Sequence, residues 1–460
     1  MKATIKAAEL VREVCRAAYR GEAAAFVGSG ISVPSGLPDW TGLLRPMVDQ
    51  LGVTLRSAGE DLPLFAQHVV NMRAGNRGSL VAQVKDLIQR SGAKPNDYHR
   101  AIARSAIDLV WTTNYDTLLE QAFGSYPAVV RARDADMSLV AEPEAVEIVK
   151  AHGCFGRSAP DELVLTREDY EDFFVKRPLI AERLRGDLQS RTFFFAGYGY
   201  GDPNIANILV EARRLAQRAP RRRFLLTRIA DTGKDGPDAI KRQELWAMDL
   251  ARVGIECAIV NDYEEYGRTI EEISVGSRGP TLYVTGSHSG PSSLAEEVGR
   301  MLAEQKKVRV VLLDGQSTGR SRSLISAFVH RAAEQKIDFR DRLRFFSNPY
   351  AADPAMSGNP SLMPRLKEWR ASMLRTAHTV LAFDGGMGTR AEVELAADLG
   401  CRLILVPELP NGSSREMLKV AEIAARAGPS ASKILSQPGW IPSASEVVDW
   451  VLAALPEGMN

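Results

Sequence analysis

From end to end, short apolar runs of four to eight residues alternate with longer stretches of helical periodicity. A chain patterned this way folds into helices layered on mostly parallel sheets, because each strand-to-strand connection is long enough to hold a crossover helix. In the first half the expected strands are "AAFVG", "DLVWTTN", "AVEIVKAHG", "RTFFFAG", "RRFLLT" and "GIECAIV", with helices over 62–90, 167–189 and 203–218. After "SVGSRGP" at 274–280, the best linker candidate, the pattern restarts with "TLYVTGS", "VRVVLLDG", "LRFFS", "HTVLAFDGG" and "CRLILVPE". At 460 residues the chain exceeds one ordinary core. The expected fold is therefore α/β, two tandem Rossmann-like doubly wound domains over 1–275 and 280–460.

Composition removes several function classes. A net charge of +1 gives no support to a nucleic-acid or anionic-membrane surface, and "RRR" at 221–223 reads as a solvated edge before a strand. No apolar run approaches the roughly 20 residues of a membrane span. The first 21 residues read as an amphipathic helix ending at Gly21 rather than a secretory leader. Cys15, Cys154, Cys257 and Cys401 are scattered with no CxxC pair, so neither a disulfide framework nor a four-cysteine zinc site is expected. A reducing cytoplasm is the expected compartment.

The stretch "AAFVGSGISVPSGLPDW" at 24–40 passes from an apolar strand directly into glycine, serine and proline. Either a tight turn needs the glycines, or the loop lies against a ligand and offers its N–H groups to a phosphate. "TTNYD" at 112–116, "AHGC" at 151–154 and "GYGYGDPN" at 197–204 also follow strands. In a doubly wound sheet the carboxyl ends of the strands share one edge, so four such stretches converge on one cleft. Each residue has a bland alternative: Asn114 as a turn former, His152 as a core histidine, Asp39 and Asp202 as helix caps.

"GSGISVPSGLPDW", "TTNYD" and "AHG" in this order resemble the sirtuin-type NAD-binding domain in its divergent bacterial branch, over roughly residues 1–275. The resemblance implies that Gly28, Ser29, Gly30 and Ser32 contact phosphates and ribose, with Gly197 at the same edge. It places Asp39 in the nicotinamide pocket, Asn114 on ribose or water, Asp116 bracing that turn, and His152 as general base. The family's paired zinc cysteines are absent, and Trp40 and Thr41 follow Asp39 where the family has an arginine. Simple hydrolysis of NAD as substrate, without metal, is then more economical than protein deacylation.

In "VLAFDGGMGTRAEVELA" at 380–396 a strand runs into Gly-Gly-x-Gly-Thr with Glu392 three residues later. This is an anion site at a helix start, or a capping box of Thr389 and Glu392. The region resembles the Rossmann-like lysine-decarboxylase-like family, whose sensor branch is called SLOG, with Asp384 in place of the family's proline. "EWRASML" at 368–374 resembles its "RKxxM" helix with Ala371 for lysine, and "TGSHSG" at 285–290 its first phosphate loop. The resemblance implies effector contacts from Gly286, Ser287, Arg370, Gly385, Gly386, Gly388, Thr389 and Glu392. A sirtuin-like domain followed by a SLOG-like domain resembles the effectors of the Thoeris antiphage system. That likeness implies a homo-tetrameric NAD hydrolase gated by a cyclic ADP-ribose-type nucleotide from a TIR-domain protein. A non-catalytic nucleotide-binding scaffold and a zinc-free deacylase are the alternatives.

Overall fold

The computed structural model describes residues 3–55, 60–124, 126–140, 145–199, 203–215, 221–305, 310–314, 319–338, 342–346, 361–409 and 411–456. The chain divides into two compact units, Met1–Ala103 with Ile107–Ser274, and Val275–Asn460 with Arg104–Ala106. The expected linker is mostly structured: the helix Tyr263–Gly276 runs into it, and the next strand starts at Thr281.

The first unit holds eight parallel strands, β1 (Thr4–Ile5), β2 (Ala23–Val27), β3 (Leu109–Thr112), β4 (Ala128–Arg131), β5 (Val146–Lys150), β6 (Thr192–Ala196), β7 (Arg223–Arg228) and β8 (Ile255–Val260). Their order is β1-β8-β7-β6-β2-β3-β5-β4. From β2 the chain builds outward through β3 to β5 and β4, then returns to lay β6 on the other side of β2. The strand order therefore reverses between β2 and β6, and Ala23 to Val27 pair in register with Thr192 to Ala196 across that point. Crevices open at such reversals, beyond the carboxyl ends of the strands.

Both faces of this sheet are covered, which is why its central strands read as unbroken apolar runs. Ala23, Ala25, Val27, Phe194 and Ala196 enter one core, while Ala24, Phe26, Phe193 and Phe195 enter the other. A smaller third core gathers Leu43, Leu44, Met47, Val69, Leu80 and Val84 with Tyr115, Leu163 and Leu165. It belongs to the helices Trp40–Asp49, Leu62–Met72 and Arg77–Arg90, inserted between β2 and β3.

Four local expectations differ. The helix expected over 167–189 is three, Arg167–Glu171, Phe173–Lys176 and Pro178–Ser190. The N-terminal helix is Ala7–Tyr19, since Thr4 and Ile5 pair with β8 as an edge strand. The helix expected over 62–90 breaks where Ala74 and Gly75 take positive φ. The solvated edge expected at 221–223 holds for exposed Arg221 but not for Arg223. Arg223 is fully buried and donates to the Val253 and Leu188 carbonyls, Arg222 pairs with Glu9, Glu13 and Glu256, and Arg221 pairs with Glu22.

The second unit has five parallel strands, β9 (Thr281–Thr285), β10 (Val311–Asp314), β11 (Leu343–Phe345), β12 (Thr379–Phe383) and β13 (Arg402–Val406), ordered β11-β10-β9-β12-β13. Its reversal lies between β9 and β12. Leu282, Val284, Leu381 and Phe383 face one core, and Tyr283, Val380 and Ala382 the other.

Candidate functional site

At the carboxyl edge of the first sheet lies a cavity of about 330 Å³, within the range of small-molecule sites. Four strands supply its lining: Gly28, Ser29 and Ser32 after β2, Thr113 to Asp116 after β3, His152 after β5, and Gly197 to Gly199 after β6. Trp40, Leu43, Leu62 and Ile88 from the inserted helices close the other side.

The glycines serve a close approach between two backbones. A Cβ on Gly28 would stand 2.4 Å from the Gly197 carbonyl oxygen and 2.6 Å from Tyr198 Cα, and one on Gly30 would stand 2.8 Å from the same oxygen. Gly197, at φ +61, would in turn drive a Cβ to 2.5 Å from the Ile31 nitrogen. The loop amides are used inside the protein: Gly28 N–H donates to Ala196 O, Gly30 N–H to Gly197 O, Ile31 N–H to Gly28 O and Ser32 N–H to Ser29 O. These four donors brace the turn.

Beneath the loop, Ser32 is buried with three partners. Its hydroxyl donates to Asp116 Oδ2 (3.1 Å), Asn114 Nδ2 donates to it (3.3 Å), and His99 Nε2 lies 3.2 Å away. Asn114 is thereby oriented: its Nδ2 is tied to Ser32, its main-chain N–H is held by Thr112 Oγ1, and its buried Oδ1 has no hydrogen-bond partner among the described residues. Asp116 braces the same turn, its Oδ1 accepting from Leu118 N–H and its carbonyl from the Lys150 ammonium. Lys150 is fully buried and pairs with Glu120 at 2.9 Å. Burial opposes its charge, but Glu120, Cys154 and Asp116 hold its pKa above the ordinary value.

His152 is buried in an aromatic setting. Its ring meets Tyr170 edge-on at 5.3 Å and lies 6.4 Å from Tyr115, which is 5.9 Å from Trp40. The cavity thus offers an aromatic wall, a carboxamide oxygen and an imidazole. An aromatic wall suits a flat, positively charged ring.

Asp39 stands apart. Its exposed side chain caps the helix Trp40–Asp49 by accepting from Gly42 N–H at 2.7 Å, and it is not among the lining residues, nor is Gly30. Asp202 lies outside the described residues. His99 and Lys150 carried no motif in the sequence; the nearest signal for His99 was the Asn-x-x-His spacing of Asn96 and His99 at a helix start.

In the second unit the eight expected effector residues gather at the edge of β9 and β12. Gly386 N–H donates to Ser287 Oγ, and Thr389 Oγ1 contacts both Ser287 N and Oγ. A Cβ on Gly385 would meet Thr389 Oγ1 at 2.2 Å, one on Gly388 would meet Arg370 at 3.4 Å, and one on Gly286, at φ +148, would meet Phe383 Cβ at 2.8 Å. The capping box is not formed, because the helix is Met387–Asp398 and places Thr389 inside its first turn. Glu392 instead accepts from Thr285 Oγ1 at 2.6 Å and lies 3.5 Å from Arg370 Nε. Burial raises its pKa, against the pull of Thr285 and Arg370. Asp384 is buried and accepts from the N–H groups of Glu408, Leu409 and Ser414.

Among the described residues no group of three or more His, Cys, Asp or Glu is placed to hold a metal ion, and no helix is long and apolar enough to cross a membrane.

A parallel sheet with its cavity at the strand-order reversal defines a nucleotide-binding class of α/β domain. Residues 108–250, within the first unit, match the family described as SIR2-like domain. The chain is similar to an NAD(+) hydrolase ThsA from Bacillus cereus (strain MSX-D12), 30% identical over 60% of this chain and 59% of that protein. It therefore spans less than two thirds of that relative's length. An NAD(+) hydrolase ThsA from Acinetobacter baumannii (strain 532279) is 26% identical over 83% of each chain. A protein named Defense-associated sirtuin 2, from Bacillus subtilis, is 26% identical over 47% of this chain and 22% of its own.

Proposed function

We propose that the first unit cleaves NAD to nicotinamide and ADP-ribose. The observation that carries this is the cavity at the β2–β6 reversal, lined by His152 and by Asn114, whose carboxamide oxygen has no hydrogen-bond partner among the described residues. The glycosidic bond of NAD is already activated, because its electron pair leaves with a pyridinium that becomes neutral nicotinamide. The site has to support an oxocarbenium-like ribose carbon and admit water. Asn114 Oδ1 accepts from that water or a ribose hydroxyl, His152 takes the proton released as water adds, and Trp40, Tyr115 and Tyr170 face the pyridinium. Gly28, Ser29 and Gly197 line the diphosphate side.

We further propose that the second unit binds a cyclic ADP-ribose-type nucleotide, made by a TIR-domain protein, and that the homo-tetramer then depletes cellular NAD in antiphage defence. The names of the relatives support hydrolysis and defence. Gating rests on Arg370 and Glu392 at the second reversal, where Arg370 can turn from Glu392 to a ligand phosphate. A ligand can gate only by binding the active arrangement more tightly than the resting one.

The test follows nicotinamide release chromatographically, with and without cyclic ADP-ribose isomers. Asn114→Ala and His152→Ala should each lower the rate by about 10²–10⁴-fold, and Arg370→Ala should raise the ligand concentration needed for half-maximal rate. Near-parental rates in Asn114→Ala or His152→Ala would overturn the site assignment. NAD bound but never cleaved by the parent would favour the scaffold alternative.

A further inference from the structure

We propose that His99 is a positioning residue of this site, its Nε2–H locking the Ser32 hydroxyl and, through it, the Asn114 carboxamide. The inference rests on the role given to Asn114 above. It begins from a count of protons. A serine hydroxyl has one hydrogen to give and two lone pairs to receive. Ser32 gives its hydrogen to Asp116 Oδ2, whose carboxylate can only accept, and takes one from Asn114 Nδ2. His99 Nε2 at 3.2 Å must fill the second lone pair and so must carry a hydrogen.

The other ring nitrogen faces two groups of Asn96: its N–H at 3.3 Å, which a bare Nδ1 accepts, and its Oδ1 at 3.0 Å, whose lone pairs already receive Tyr98 N–H at 3.0 Å and His99 N–H at 3.4 Å. A neutral ring has one hydrogen for its two nitrogens, and the count at Ser32 assigns it to Nε2. Asn96 is itself anchored, its Nδ2 donating to Ile31 O and Ser35 Oγ and its Oδ1 accepting from Tyr98 N–H at 3.0 Å. The imidazole is thus a neutral Nε2–H tautomer wedged between the start of the helix Asp97–Arg104 and the glycine loop. Neutrality has its own cause: burial, joined by Arg100 and opposed by Asp116, pushes the pKa of His99 down to about 4.

The consequence lies at Asn114. With the Ser32 oxygen saturated, the Asn114 amide cannot rotate without placing its carbonyl oxygen against a hydroxyl that has no hydrogen left. Nδ2 therefore stays on Ser32, and the direction of Oδ1 is fixed. Ser32 acts through Asn114, its hydroxyl having no lone pair left for a ligand.

The experiment pairs His99→Leu, which removes the donor at similar volume, with His99→Gln, whose amide N–H can reach the same oxygen. His99→Leu should lower kcat about 10²-fold, the scale of a misplaced catalytic group, with KM for NAD near the parent's, and His99→Gln should restore most of it. Imidazole ¹⁵N shifts of the parent should report the Nε2–H tautomer, and the Asn114 side-chain amide resonances should move in His99→Leu. Parental kcat in His99→Leu, an Nδ1–H tautomer, or unmoved Asn114 resonances would each overturn the proposal. The resonance readouts need no catalysis, so a parent that released no nicotinamide would sink the NAD reading while they still decided the His99–Asn114 linkage. If His99→Leu fails to fold, loss of kcat in a folded His99→Gln with a parental Asn114 resonance refutes it equally.

Discussion

Replacing Gly28 by alanine isolates what the first glycine of the loop does. Gly28 sits at φ −103, which alanine adopts without strain, so the whole effect comes from contact. The new Cβ would stand 2.4 Å from a backbone oxygen, against 3.4 Å for the closest ordinary contact, a shortfall of 3.4 − 2.4 = 1.0 Å. Neither Gly197 O nor Tyr198 Cα is a flexible side chain that could swing away. Opening the gap by that much lengthens the 2.9 Å bonds from Gly28 N–H to Ala196 O and from Gly30 N–H to Gly197 O beyond hydrogen-bonding range. Overpacking of this kind costs about 1–3 kcal/mol, and two hydrogen bonds add about 1 kcal/mol each. At about 2–4 °C per kcal/mol for a domain of this size, Tm should fall by roughly 6–20 °C in calorimetry without nucleotide. Gly186, within the helix Pro178–Ser190, has nothing within 4 Å of an added Cβ and is the control. Gly186→Ala should raise stability by about 0.5–1 kcal/mol. A Gly28→Ala protein that melts like the parent would refute the claim that two backbones meet here.

Lys150→Met should cost about 1–3 kcal/mol by leaving the half-buried Glu120 carboxylate without its partner, and Lys150→Met with Glu120→Leu should melt nearer the parent in denaturant titration. Asp384→Asn replaces one of the two oxygens that receive Glu408, Leu409 and Ser414 N–H. It should destabilise the second unit by about 1–3 kcal/mol, seen as faster amide exchange at 408–414. All four cysteines are buried, and burial pushes Cys15 and Cys257 up to about 12. The folded protein should resist thiol reagents at pH 8 until denatured. Because unfolded thiols ionise near about 8.5, the unfolded chain loses protons first, and Tm should decline as pH rises from about 9.

Most of the strands that sequence patterning located are central ones, buried and largely apolar on both faces, although the exposed edge strand Leu343–Phe345 was located as well. Ala128–Arg131 was missed because an edge strand with half-exposed Ala128 and Val129 makes no such run. Thr4–Ile5 is two residues long and its signal was absorbed by the amphipathic helix after it. Charge misled at Arg223, where a guanidinium finds two carbonyls inside the fold. Asn114 and His152 were legible because topology alone sends the carboxyl ends of neighbouring strands to one edge. His99 was not, since it comes from a helix and reaches the site only through a tertiary hydrogen bond.

In both units glycine lets the loops meet at the strand-order reversal, a Cβ on Gly385 standing 2.8 Å from Ser287 N in the second, and the second unit adds a side-chain brace from the loop after β12 to the loop after β13. In the first unit backbone meets backbone, and glycine at 28, 30 and 197 is the only residue small enough to allow it. In the second, the carboxylate of Asp384 gathers the N–H groups of 408, 409 and 414, and Ser413 Oγ receives Gly385 N–H at 2.8 Å. A Cβ on Gly412 would strike that carboxylate at 2.2 Å, so this glycine too is fixed by a close approach, here to a side chain. Asp384 thus supplies an acceptor whose hydrogen bonds tie its own turn to the neighbouring loop.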